Sequence, residues 1–217
     1  EHTLALLLSV ARRVPQSQSH LRAGGWRGSV SYGPELSGST VGILGLGNVG
    51  RAVARMLAGF GVRLLAHDPL VSPAQAREVG AELVELEALF AESDFLSVHC
   101  ALTPETYHLV NAERLARMKP TAILVNCARG PVVDEKALCQ TLREGRLGGA
   151  GLDVFEQEPP SPENPLLGLP NVVCTPHLGG SSAKARERVY RITGENVVRV
   201  LRGQKPREEC LLNPEVF

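Results

Sequence analysis

The 217-residue chain lacks the marks of several function classes. It has no excess of either charge, 23 Lys and Arg standing against 23 Asp and Glu, so nothing in its net charge attracts nucleic acid or an anionic membrane surface. It has no long apolar run. The early stretch Leu4 to Val10 is broken by Ser9 and follows Glu1 and His2 instead of basic residues, so neither a signal peptide nor a transmembrane span is expected. Its five cysteines, at 100, 127, 139, 174 and 210, never approach C-x-x-C spacing. That pattern predicts no metal site and no disulfide framework, and it fits a reduced, cytoplasmic setting. Hydrophobic residues at 43% and charged residues at 21% exclude a disordered or fibrous chain.

What is present is an alternation. Apolar, β-rich runs at Thr40 to Leu46, Arg63 to His67, Phe95 to His99, Ala122 to Asn126, Ala150 to Val154 and Val172 to Thr175 read as strands. Their near-continuous apolar character suits a parallel sheet covered on both faces. Between them lie helical patterns. The first carries Val49, Val53, Met56, Leu57 and Phe60 and ends at Gly61. A second opens at Ser72-Pro73 and closes at Gly80, and a third runs from an Asp134 N-cap to Gly145. The longest spans Ser182 to Arg202, with Val189, Ile192, Val197, Val200 and Leu201, and stops at Gly203. No internal repeat is evident, and the fold class predicted is α/β, a doubly wound parallel sheet of Rossmann type. Ahead of it, Leu4, Leu7, Leu8 and Ala11 predict an initial helix, and the Gly-rich stretch Gln16 to Ser39 an irregular connector. Glu1 in place of an initiator Met, directly before that helix, predicts a fragment whose N-terminal part lies outside these residues.

The sharpest local signal is Gly45-Leu46-Gly47-Asn48-Val49-Gly50, after a predicted strand and opening a predicted helix. Gly45 would permit the tight turn, Gly47 the close approach of a pyrophosphate, and Gly50 the packing of helix on strand. The amides of Asn48 and Val49 would face the phosphate charge from a helix N-terminus. Asp68 lies eighteen residues past Gly50, at the end of the second strand, where an acid binds the adenosine ribose hydroxyls. A carboxylate there repels a 2′-phosphate, so NAD is predicted over NADP. A short-chain dehydrogenase is excluded, since Tyr32, Tyr107 and Tyr190 are followed at Tyr-x-x-x-Lys spacing by Leu36, Asn111 and Gly194. A Rossmann methyltransferase is disfavoured by Asp68 together with the later Arg129, Glu158 and His177.

Three later strand ends carry polar residues at the sheet edge where ligands bind: Arg129 in Asn126-Cys127-Ala128-Arg129-Gly130, Glu158 after Asp153-Val154-Phe155, and His177 in Pro176-His177-Leu178-Gly179-Gly180. Singly, each is an ordinary loop residue. Together with Gly45 to Gly50 and His99-Cys100-Ala101-Leu102-Thr103-Pro104-Glu105-Thr106, and in this order, they closely resemble the D-isomer-specific 2-hydroxyacid dehydrogenases over nearly the whole chain. Asp68 to Pro73 and Asn126 to Gly130 look most like the phosphoglycerate dehydrogenase branch.

The resemblance implies a hydride transfer between NAD and a small 2-hydroxy or 2-oxo acid. Arg129 would hold the substrate carboxylate and polarise the oxo group, His177 would be the general acid and base, and Glu158 would orient its imidazole. These residue types suit the chemistry, because charge builds on the substrate oxygen and is met by a guanidinium and a protonated imidazole. The resemblance further assigns Asp153 to the nicotinamide carboxamide or ribose, and Cys127 and Ala128 to the nicotinamide pocket, which Arg129 and His177 adjoin. Cys100 goes to the adenosine half, and Gly179 and Gly180 to the cofactor. His99 stands between a structural and a cleft-lining role, while His2, His20, His67 and His108 read as structural.

By the same resemblance residues 1–37 form a connecting helix and dimerisation arm, 38–180 the NAD-binding domain, and 181–217 a C-terminal helix and tail returning to a substrate domain. The flanking helices would belong to that second domain, largely missing here, so little turnover is expected from these residues alone. A homodimer is implied, with Leu21 to Trp26 in contact. The rival reading is an NAD(H)-sensing binding or regulatory module of the same fold.

Overall fold

The computed structural model describes residues 1–27 and 32–216; residues 28–31 of the expected connector and arm, and Phe217 of the tail, lie outside the described residues. Seven strands form one sheet: β1 (Thr40–Leu44), β2 (Arg63–His67), β3 (Ala81–Leu83), β4 (Phe95–Val98), β5 (Ile123–Asn126), β6 (Gly149–Leu152) and β7 (Val172–Cys174). They pair in parallel in the order β3-β2-β1-β4-β5-β6-β7. All carboxyl ends therefore share one edge, and the direction of strand addition reverses between β1 and β4, which opens a crevice there.

Alternate side chains of the strands feed two separate cores. Val41, Ile43, Leu64, Ala66, Phe95, Ile123 and Val125 pack on one face, against Leu6, Leu7, Val10 and Ala11 of α1 (His2–Ala11) and Val53, Ala54 and Leu57 of α3 (Asn48–Leu57). Leu44, Leu65, Leu96, Val98, Leu124 and Leu152 pack on the other, against Leu89 and Phe90 of α5 (Leu86–Glu92), Leu115 of α6 (Ala112–Arg117), and Leu138 and Leu142 of α7 (Glu135–Arg143). Burial on both faces explains why these strands read as continuous apolar runs.

The expected punctuation is observed. The Ser72 hydroxyl accepts from the Gln75 amide in a capping box opening α4 (Pro73–Arg77), and the Asp134 side chain accepts from the Ala137 amide at the start of α7. Gly61, Gly80 and Gly145 take the left-handed conformation after their helices.

Three readings need correction. The segment expected to be irregular from Gln16 begins as a helix, α2 (Val14–Arg22), with Pro15 in its first turn. The glycines that suggested a connector begin only at Gly24, and proline is tolerated at a helix start. Strand β3 went unread because it has three residues, with Glu82 exposed at the sheet margin. Val49 and Phe60, taken for the apolar face of α3, are exposed; Val53, Ala54 and Leu57 carry its packing.

By its internal contacts the chain divides into two units, Glu1–His177 and Leu178–Phe217. In the second, α8 (Ala183–Leu201) is capped by the Ser182 hydroxyl and followed by left-handed Gly203. Arg207 pairs there with Glu195, and its amide donates to Asn196 Oδ1 at 3.0 Å. Val189, Tyr190, Val197 and Leu201 of α8 are exposed.

Candidate active site

The glycine loop leaves β1 at its carboxyl end. Gly45 has φ +94°, and a Cβ there would lie 2.5 Å from the Cys100 amide nitrogen. A Cβ on Gly50 would lie 2.2 Å from the Gly45 carbonyl oxygen, whereas one on Gly47 would meet nothing within 4 Å. The loop is therefore closed on the protein side and open above Gly47. Asn48 and Val49 begin α3, where the first amides have no carbonyl partner within the helix.

Leu46 is held at both ends. Its amide donates to Asp68 Oδ2 at 2.7 Å, and its carbonyl accepts from Arg51 Nε at 3.0 Å. Asp68 Oδ1 accepts from the Leu70 amide at 2.9 Å, closing the turn at Pro69. The carboxylate thus anchors the glycine loop, and each oxygen retains a lone pair for a further donor.

Next to the loop lies a cleft of about 390 Å³ lined by Val49, His99, Cys100, Ala101, Leu102, Cys127, Ala128 and Arg129. It spans the crevice between β1 and β4 and gathers the cofactor candidates Val49, Cys100, Cys127, Ala128 and Arg129. Val49, 59% exposed, lies outside the core clusters and lines this cleft. Burial pushes the Cys100 and Cys127 thiols up to about 11, so both stay protonated and serve as apolar lining. Burial likewise lowers His99 to about 4; its Nε2 lies 2.8 Å from the Ser97 hydroxyl, so a neutral ring lines the cleft. A larger open depression of about 780 Å³ beside α7, lined in part by Lys136, Arg143 and Glu163, holds none of the expected site residues.

Backbone hydrogen bonds lace the ends of β5, β6 and β7 together. The Asp153 amide donates to the Asn126 carbonyl, the Thr175 amide to the Leu152 carbonyl, and the His177 amide to the Asp153 carbonyl, at 2.8 to 3.0 Å. Buried Asn126 shapes its own loop: Oδ1 accepts from the Ala128 amide and Nδ2 donates to the Arg129 carbonyl. Arg129 bonds to the Ala128 carbonyl and forms no ion pair among the described residues. An exposed guanidinium without an acidic partner suits an anionic ligand.

His177 and Glu158 form the expected pair, with Nδ1 2.7 Å from Glu158 Oε2, while Glu158 Oε1 accepts from the Phe155 amide at 3.1 Å. Partial burial alone would raise the Glu158 carboxyl. The hydrogen bond from His177, the Phe155 amide and the imidazolium charge outweigh it and hold the group below the usual carboxylate range. His177 has φ +54°, a conformation uncommon outside glycine. Gly179 and Gly180 fall in the second unit.

The structure also joins residues that lie far apart in the sequence. Asp153 is 1% exposed, and its Oδ1 lies 2.6 Å from the Thr175 hydroxyl and 3.1 Å from His2 Nε2. His2 and Asp153 are 151 positions apart, so no local pattern could pair them. His108 sits between Glu156 and Asp134, with Nε2 3.0 Å from Glu156 Oε1. These carboxylates also serve the backbone, Glu156 accepting from the Glu135 amide and Asp134 capping α7.

The family model for the D-isomer specific 2-hydroxyacid dehydrogenase NAD binding domain matches residues 4–179. The chain is similar to the glyoxylate reductase of Korarchaeum cryptofilum, 46% identical over 220 residues that cover 100% of this chain and 66% of that protein. It is also similar to the D-3-phosphoglycerate dehydrogenase of Mycobacterium tuberculosis, 47% identical over 204 residues, 94% of this chain and 38% of that one. Among solved structures, D-lactate dehydrogenase from Aquifex aeolicus complexed with NAD and lactic acid superposes with a TM-score of 0.85 at 31% identity. That match covers 93% of this chain and 65% of the other. The chain thus spans under two thirds of the length of several relatives it matches.

Proposed function

Since the chain belongs to the D-isomer specific 2-hydroxyacid dehydrogenase family through its NAD binding domain, we propose that it serves hydride transfer between NAD and a small 2-hydroxy or 2-oxo acid. The observation that carries this reading is the His177–Glu158 pair at the sheet edge where Arg129 stands without an ion-pair partner. In this reading Gly45, Gly47 and Gly50 shape the phosphate loop, and the amides of Asn48 and Val49 meet the pyrophosphate. Asp68 takes the adenosine ribose hydroxyls. Cys100 lines the adenosine side; Cys127, Ala128 and Asp153 serve the nicotinamide side. Bound NAD or NADH supplies the hydride acceptor or donor.

The chain's own residues do the rest. Arg129 binds the substrate carboxylate and draws charge toward the oxo oxygen. His177 keeps Nδ1 on Glu158, leaving Nε2 to deliver a proton to that oxygen in reduction and to remove it in oxidation. Glu158 orients the ring and stabilises its charged form.

The test is a fluorescence titration of the chain with NADH and NADPH. NADH is expected to bind more tightly. Asp68→Ala is expected to weaken NADH about tenfold or more, because both the ribose contact and the Leu46 anchor are lost. A folded chain that binds neither nucleotide would sink the reading.

A homodimer in the cytoplasm completes the proposal. Leu21 and Trp26, 56% and 70% exposed, are large apolar side chains suited to a twofold contact. Light scattering should give twice the 23.3 kDa chain mass, and a stable monomer would remove this part.

A further inference from the structure

The first turn of α1 enters the same strand ends as the His177–Glu158 pair. His2 Nε2 reaches both Asp153 Oδ1, at 3.1 Å, and the Thr175 hydroxyl, at 2.9 Å. The next residue, Thr3, is buried and acts on the thiol of Cys127, which lines the cleft. Asp153 is thus covered by a histidine from one end of the sequence and a threonine from the other. Its negative charge is felt at two places already described, raising the Cys127 thiol and opposing the ionisation of Glu158. Its carbonyl holds the His177 amide. The carboxylate therefore stands between the nicotinamide side of the cleft and the acid–base pair, and two of its partners, His2 and Thr175, belong to neither.

We propose that His2 is a positioning residue for the nicotinamide half of the cofactor site, acting through Asp153. The inference rests on the reading above in which Asp153 serves the nicotinamide side. A buried carboxylate that loses a donor must recruit another, turn, or take up a proton. Each of these changes what it offers the carboxamide of the nicotinamide, the one part of the ligand that ADP-ribose lacks. Thr175 and His2 both meet the same oxygen, Oδ1, so loss of His2 removes one of the bonds that set its direction. The adenosine half depends on other residues: Asp68 and Arg51 each bond to Leu46, and the His2 bonds described above go to none of the three. The two halves of the nucleotide should therefore respond differently to a change at His2.

The experiment titrates the wild-type chain, His2→Ala, His2→Gln and Thr175→Val with NADH by fluorescence and with ADP-ribose by calorimetry. ADP-ribose carries the adenosine, both phosphates and both riboses but no nicotinamide. His2→Ala is expected to weaken NADH about tenfold, the loss of one charge-assisted bond, and to leave ADP-ribose unchanged. Gln, whose amide nitrogen lies near the place of Nε2, should restore most of the NADH affinity. Thr175→Val should repeat the split between the two ligands and keeps the test open if His2→Ala does not fold. Equal losses for both ligands, no loss for either, or no rescue by Gln would overturn the proposal while leaving the NAD reading intact. A folded wild-type chain that binds ADP-ribose but not NADH would overturn both.

Discussion

Replacing His177 with alanine is expected to lower kcat for 2-oxo acid reduction by about 10²- to 10⁴-fold, the range commanded by a positioned acid–base group, with NADH affinity nearly kept. The geometry gives the reason. Glu158 Oε2 takes Nδ1 at 2.7 Å, so the ring is fixed in orientation and Nε2 is the nitrogen left for substrate. On the proposed chemistry, alanine would leave the forming alkoxide with Arg129 alone. The assay follows NADH oxidation with a panel of short 2-oxo acids, in a form of the protein that turns over. A rate close to wild type would remove His177 from the chemistry.

The pH dependence carries a sign. Glu158 is held below the ordinary carboxylate range by His177 and the Phe155 amide, so its orienting charge is present above that range and lost as pH falls through the lowered value. The wild-type profile should decline on its acid side for this reason. Glu158→Gln should run slower throughout and lack that limb.

The second large effect is structural. Gly130 follows Arg129 and abuts the β6 loop so closely that a Cβ would lie 1.9 Å from the Phe155 carbonyl carbon and oxygen, and 2.5 Å from the Glu156 nitrogen. All three are backbone atoms and cannot swing aside as a side-chain tip can. Gly130→Ala is expected to cost at least about 3 kcal/mol, the upper range for overpacking, read as a lower urea midpoint. The damage should also reach the chemistry, because the Phe155 amide holds Glu158 and the residue before Gly130 is Arg129. Any folded population should show reduced turnover. An unchanged midpoint would mean that the β5 and β6 loops separate without cost, contrary to the lacing at their ends.

Much of this was legible in sequence because local chemistry and period carry it. The strands announced themselves by apolar runs that two cores require, and Ser72, Asp134, Gly80 and Gly145 act at short range through capping and left-handed turns. The glycine loop was readable because strand, glycines, helix and Asp68 occur in one unit. Arg129, Glu158 and His177 were readable as a set only through the family pattern, since each alone is an ordinary loop residue.

What stayed hidden is what folding brings together from afar or leaves too short to show. The His2–Asp153 contact joins residues 151 positions apart, and His108 meets Glu156 across 48 positions. Strand β3 has too few residues to display a period, and α5 and α6, of seven and six residues, are hardly longer. Val49 fitted the spacing of a core residue, yet it sits at the first turn of α3, where the helix emerges beside the crevice. Periodicity identifies a face but not what lies opposite it.

The double tether of Leu46, by Asp68 at its amide and Arg51 at its carbonyl, bears on how a nucleotide arrives. A glycine-rich segment free in solution has many conformations to surrender, and that entropy is subtracted from whatever its amides gain from a phosphate. Here the surrender is made during folding, by bonds that need no ligand. Nucleotide capture then resembles a key entering a cut lock, with an association rate set by diffusion and orientation instead of by waiting for the loop to form.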